Sequence, residues 1–287
     1  MLLKKNDAVL ETPRIWPFLP VFDVKHYSAA EDDTQYMGLH IEWRSSKDHI
    51  GEHEILLFAL PGVGNVGKVA IEGINSCHIQ QEIARLHHTS LPPLATLDED
   101  GLLTPPHLTL SSIESVTGKR VLTLTGTSQP LEPEHQGSMA HEVLEWLESQ
   151  GVTALYVLAG LMDSPTRKET FVVASNASHR IELESLGADV RRDEPKSGAI
   201  GLAALIASIG PLYNIHSACA IATTVGSSGD AFASQRLLES LDRWFDLGIA
   251  LPSDVQSKLT DKLAALAPGN APDMVSDLTE SPDAFYM

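Results

Sequence analysis

Three short stretches of this 287-residue chain carry residue types and spacings that could do chemistry. The first is "GVGNVG", which sets Gly62, Gly64 and Gly67 in G-x-G-x-x-G register between an apolar strand and an amphipathic helix. Such a turn lets a pyrophosphate approach the backbone and meet the free N–H groups and positive dipole end of a helix. A dinucleotide site also needs an acid at the tip of the next strand, about twenty residues on. Glu82 falls too early for that role and Asp98 too late. Without that acid, Gly62, Gly64, Asn65 and Gly67 read as a structural turn that permits a tight reversal and close helix–sheet packing.

The second stretch is "HIGEH", in which His49, Glu52 and His53 fit the H-x-x-E-H pattern of some zinc hydrolases. That chemistry needs a helix to bring both imidazoles to one face. Gly51 interrupts the motif and the strand "EILLFAL" begins at once, so the match reads as coincidence. The third is "TTVGSSGDAF", with Ser227, Ser228 and Asp230 in a strand-to-helix turn. It is not a nucleophile elbow and no partner base is identifiable, so Asp230 reads as a helix N-cap or a first-turn acid. His141 lies within a helical pattern, as a packed or exposed histidine. Cys77 and Cys219 are too far apart to form a metal or redox motif and read as free thiols. No catalytic residue, metal ligand set or cofactor is expected.

The elements that would carry these residues alternate between strand and helix. "MGLHIEW" and the apolar run from Ile55 to Leu60 read as strands, and a helix follows from about Asn65. "HLTLSSIESVTGKRVLTLTG" reads as a hairpin turning at Thr117 and Gly118, and "EHQGSMAHEVLEWLESQG" as a helix closed by Gly151. "VTALYVLAG", "TFVVAS" and "SACAIATTVG" are strands, and "GAIGLAALIASIG" is an apolar helix. In "DAFASQRLLESLDRWFDLG" the periodicity predicts a helix with Phe232, Leu237, Leu238, Leu241, Trp244 and Phe245 on its apolar face. This order predicts an α/β domain with a mostly parallel sheet and helices.

Residues 50–250 would form that domain, after an irregular N-terminal extension over 1–50 and before a helix over 251–267. The formal net charge of −18 argues against nucleic acid, which needs clustered Lys and Arg. No run of eighteen apolar residues would span a membrane, and the first residues lack the pattern of a signal peptide. A cytoplasmic location follows as the expectation. From 268 to 287 the chain holds three prolines, four acids and no Lys or Arg, which predicts a flexible tail with a reach of roughly 25 Å. It closes on Phe285, Tyr286 and Met287. Two aromatic residues in a tail with no core suggest a docking peptide whose terminal carboxylate a partner lysine could capture.

At "LPGVGNVGKVAIEGI" the chain resembles the proteasome assembly chaperone family, in its second, archaeal-type branch. The agreement continues through "EDGLLTPP", "LTLTGTSQP", "LYVLAG", "SGAIGLAALI" and "GDAFASQRLLESL", covering about residues 50–250. "LAGLMD" departs from it, with one glycine where many members have two. The resemblance implies a sheet with helices on both faces, similar to nucleoside phosphorylases but without their catalytic set. It also implies a homo-oligomer, with a paralogous chaperone as a further partner, and no cofactor. Some members end in a hydrophobic-Tyr-X tripeptide that enters pockets between proteasome α-subunits, and Phe285, Tyr286 and Met287 match it. The expected function is a proteasome assembly chaperone. The alternatives are a proteasome activator or adaptor, and a nucleotide- or nucleoside-binding enzyme using the Gly62–Gly67 turn.

Overall fold

The computed structural model describes residues 38–250, apart from 46–48, 99, 197, 200 and 227–228. The predicted C-terminal helix and the tail with its closing tripeptide lie outside the described residues. The chain enters through β1 (Leu39–Trp43) and the four-residue β2 (Leu56–Ala59), whose every residue is buried. The glycine turn leads into α1 (Val66–Cys77), then β3 (Ile79–His88). A small ribbon, β4 (Thr96–Leu97) with β5 (Leu103–Thr104), precedes the hairpin of β6 (Leu108–Glu114) and β7 (Arg120–Gly126). That hairpin turns through Gly118 at φ +76°, a conformation that favours glycine. Next come α2 (Pro133–Ser149), β8 (Ala154–Met162), β9 (Thr170–Ala174) and α3 (Ala177–Ser185). The described chain closes with α4 (Leu202–Ile209), β10 (His216–Thr224) and α5 (Ala231–Phe245).

Eight strands form one sheet in the order β1-β3-β6-β7-β2-β8-β10-β9. β7, β2, β8 and β10 are mutually parallel at the centre, and β3 points the same way beyond the antiparallel β6. Antiparallel β1 and β9 form the edges. The expected α/β sheet is therefore present, with its parallel part concentrated in the middle. The central strands are apolar on both sides because both faces are covered. In β2, Leu56 and Phe58 point to one core while Leu57 and Ala59 point to the other.

On the first face lie α2, with Met139, Val143, Leu144 and Leu147 turned inward, and α4, with Leu202 and Ile206. On the second lie α1, α3 and α5, which bury Ile71 and Ile74, Leu183, and Leu237 and Leu241 respectively. A side chain of this kind contributes about 1.5–3 kcal/mol when fully buried.

Three details depart from the sequence expectation. Phe232 is 68% exposed rather than part of the α5 core face. It lies five residues before Leu237, and at 100° per residue that puts it about 140° round the helix. The apolar helix predicted across "GAIGLAALIASIG" begins only at Leu202, because Gly198 and Gly201 take φ of +74° and +105°. Finally, α3 has no counterpart in the periodicity. Its sequence is polar, and only His179 and Leu183 are buried.

Candidate functional site

The strongest sequence signal, the Gly62–Gly67 turn, sits at the carboxyl ends of the central strands. A single 3-10 turn at Val63–Asn65 links β2 to α1. Asn65 adopts the left-handed region at φ +49°, which a short amide side chain tolerates. Its N–H donates to the Gly62 carbonyl at 2.9 Å, and its Oδ1 accepts from the Gly62 N–H at 3.3 Å. The loop thus closes on itself.

The glycines play different roles. Gly62 is extended and open, with nothing nearer than 3.8 Å to where a Cβ would stand. Gly64 has φ +62°, and a Cβ there would lie 2.8 Å from Thr224 Oγ1. At Gly67 a Cβ would overlap the Leu158 carbonyl oxygen, and at Gly160 on β8 it would overlap the Val63 carbonyl oxygen. α1 therefore lies directly against β8, and side-chain-free positions on both elements make the approach feasible. Gly160 belongs to the "LYVLAG" strand and had no assigned role in the sequence.

The surroundings do not favour a phosphate. Asp230 caps α5, its Oδ1 accepting from the Ala233 N–H at 2.9 Å, as its position before the helix predicts. The Thr224 hydroxyl donates to Asp230 Oδ2 at 2.7 Å, and the Asp230 N–H donates to the Gly64 carbonyl at 2.9 Å. The glycine turn thus has a carboxylate beside it. Lys68, the nearby cation of α1, is engaged with the Gly126 carbonyl at 3.0 Å and with Glu72 at 2.9 Å.

The topology also removes the partner acid. In a dinucleotide fold the strand after the first helix lies next to the first strand. Here α1 leads to β3, which is separated from β2 by β6 and β7. No residue at the tip of β3 can reach a ligand on the turn, whatever its identity.

A cleft of about 320 Å³ does open beside the turn, between Pro61, Val63 and Val66 on one side and Ala199, Ala203 and Ala204 on the other. Its floor is β8 and β10. In open α/β sheets such a crevice, at the carboxyl ends of strands whose connections leave in opposite directions, is a common ligand position. Among its described lining residues none is charged, and the polar ones are Gln129 and Cys219. Gln129 Oε1 faces the Leu202 N–H at 3.3 Å. Burial pushes the Cys219 thiol up to about 12, so it stays protonated and unreactive at neutral pH.

The remaining sequence candidates do not converge. His49, Glu52 and His53 flank the entry to β2 without a helix, and His53 Nδ1 pairs with the Gly51 carbonyl at 2.9 Å. His141 is exposed on α2, with its Nδ1 2.7 Å from the Tyr213 hydroxyl. Ser227, Ser228, Phe285, Tyr286 and Met287 lie outside the described residues.

This fold, with its tightly packed glycine turn, defines an α/β scaffold with helices on both faces of one sheet. A sequence model of the PAC2 family matches residues 56–263, and the chain belongs to that family. It is 24% identical over 188 residues to the uncharacterized protein MJ1210 of Methanocaldococcus jannaschii, covering 66% of this chain and 72% of that one. Solved structures that share the fold include two from Pyrococcus furiosus. Pyrococcus furiosus PbaB, an archaeal proteasome activator, aligns with a TM-score of 0.65 and 18% identity over 85% of this chain and 99% of its own. Pyrococcus furiosus PbaA, an archaeal homolog of proteasome-assembly chaperone, aligns with a TM-score of 0.62 and 18% identity over 80% and 95%.

Proposed function

We propose that this chain is a proteasome-binding factor of the assembly-chaperone or activator class, which docks Phe285, Tyr286 and Met287 in pockets between proteasome α-subunits. The observation that carries the reading is the pairing of membership in the PAC2 family with a hydrophobic-Tyr-X ending. The fold shared with an archaeal proteasome activator and an archaeal homolog of proteasome-assembly chaperone supports it. The α/β domain acts as a scaffold that presents the tail. Assembly into a homo-oligomer would let several weak tails engage several pockets together, raising avidity without new contacts. Light scattering that returned a mass of 31 kDa at all micromolar concentrations would remove the avidity argument.

The enzymatic alternative is the weaker reading. The turn carries a neighbouring carboxylate, the cleft lacks charged groups among its described lining residues, and the partner acid is missing. Calorimetric titration with NAD, ATP and nucleosides should show no binding, and a low-micromolar dissociation constant for any of them would restore this alternative.

The direct test is a pull-down of proteasome α-subunits with the full-length chain and with a variant lacking Phe285–Met287. Mass spectrometry first checks that Met287 carries a free carboxylate. Capture by the full chain and none by the shortened one is the expected result. Equal capture by both would sink the docking reading.

A further inference from the structure

At the opposite end of the sheet from the glycine turn, α3 and the start of β10 bring together three metal-ligating side chains. His179 and Glu182 are three residues apart on α3, so they share a face. His216 is the first residue of β10. Its position is fixed by its N–H donating to the Thr153 carbonyl at 2.8 Å and by parallel pairing with Ala154.

Three anchors fix α3 in turn. The Asn176 side chain caps it through the His179 N–H at 2.8 Å, Leu183 is buried in the second core, and β9 ends against it. The cluster is therefore held by regular elements rather than by loops. His179 Nδ1 lies 3.0 Å from Glu182 Oε2, and His216 Nδ1 lies 3.4 Å from the same oxygen. One ligand atom from each of the three residues falls within 4.8 Å of the others. Among the described residues no other group of three His, Cys, Asp or Glu side chains meets that condition.

These separations suit one small cation. Zinc binds imidazole nitrogen and carboxylate oxygen at about 2.0–2.2 Å, so tetrahedral ligands around it stand about 3.4 Å apart. His179 is only 4% exposed, and its Nε2 has no hydrogen-bond partner. Nδ1 is thus the polar handle of the ring, and it is turned on the cluster. Glu182 sets its carboxylate between the two imidazoles, its Oε2 within reach of both. Its side chain is 56% exposed and that of His216 is 48% exposed, which leaves a fourth position for water.

We propose that His179, Glu182 and His216 form a binding site for a zinc-class divalent cation, which clips α3 to the amino-terminal end of β10. A His-His-carboxylate set suits zinc, and nickel and copper bind the same donors, whereas magnesium and calcium prefer all-oxygen sites. The clip joins two elements that already touch through the His179 and His216 rings, whose centroids are 5.3 Å apart. Metal binding should stiffen this end of the domain.

The test uses the full-length chain, stripped with chelator and then dialysed against Zn2+ or Co2+. The expected result is one tightly held ion per chain by elemental analysis, with the visible absorption of tetrahedral Co2+ and a higher melting temperature on loading. His216→Ala and Glu182→Gln should each weaken binding at least tenfold and remove the cobalt spectrum. Both positions are half-exposed, so the stripped variants should melt like the stripped parent; His179→Gln serves as a third variant. Zinc content unchanged in the His216→Ala, Glu182→Gln double variant would place the ion elsewhere and overturn the proposal. Absence of any stoichiometric ion in the parent would overturn it as well.

Discussion

Ser234 on α5 donates a 2.8 Å hydrogen bond from its Oγ to the carbonyl of Val66 on α1, and both residues are buried. The same hydroxyl lies 2.9 Å from the Asp230 carbonyl of its own helix. One side chain thus joins the helix that follows the glycine turn to the helix that follows β10. Ser234→Ala should cost about 1 kcal/mol, the usual value for a lost buried hydrogen bond. Denaturant unfolding checks this through a lowered midpoint with an unchanged slope.

The glycine turn yields a graded series. Gly62→Ala should change stability by less than about 0.5 kcal/mol, because the position is extended and open. Gly64→Val should cost about 1–3 kcal/mol, through the positive φ and the crowding of Thr224. Gly67→Ala should cost at least about 2 kcal/mol, because α1 must lift away from the Leu158 carbonyl. Equal effects at Gly62 and Gly67 in thermal melts would contradict the packing account.

Stability should also depend on His88. Its Nδ1 accepts from the Ser90 N–H at 3.0 Å, which suits the neutral ring, and its Nε2 is 3.4 Å from Glu142. Burial holds its pKa below 6.5, partly opposed by Glu142 and reinforced by His135. The unfolded chain therefore takes up a proton near pH 6.5 before the folded one does, and stability from this site falls as pH drops below that value. His88→Asn keeps an acceptor for Ser90 and removes the titration. The difference in melting temperature between parent and variant should shrink in the variant's favour from pH 7 towards pH 5, and a constant difference would argue against a buried neutral ring.

For the tail, Tyr286→Ala should weaken proteasome binding by about 2 kcal/mol or more per engaged site, as expected for an aromatic anchor in a closed pocket. One residue added after Met287 should weaken it too, by moving the carboxylate out of register. Neither change should alter the melting temperature. Surface plasmon resonance and calorimetry together separate docking from a tail that folds onto its own domain, where the melting temperature would fall.

The alternation of strand and helix was legible in the sequence because each buried element repeats apolar residues at its own period. So were the hairpin turn at Gly118, the Asp230 cap and the glycine register, since each depends on a few adjacent residues. Strand order was not legible. The step from α1 to β3 looks like the second half of a dinucleotide fold, yet two strands separate β3 from β2 because β7 and β8 occupy the flanks of β2. Periodicity also failed where burial is decided by neighbours: Phe232 is apolar but faces solvent, and α3 is polar but packs through His179 and Leu183. The roles of Gly160 and of the His179–Glu182–His216 group belong wholly to tertiary structure. Their partners are distant in sequence, and only the packing of α1 on β8, and of α3 beside β10, sets the distances on which their chemistry depends.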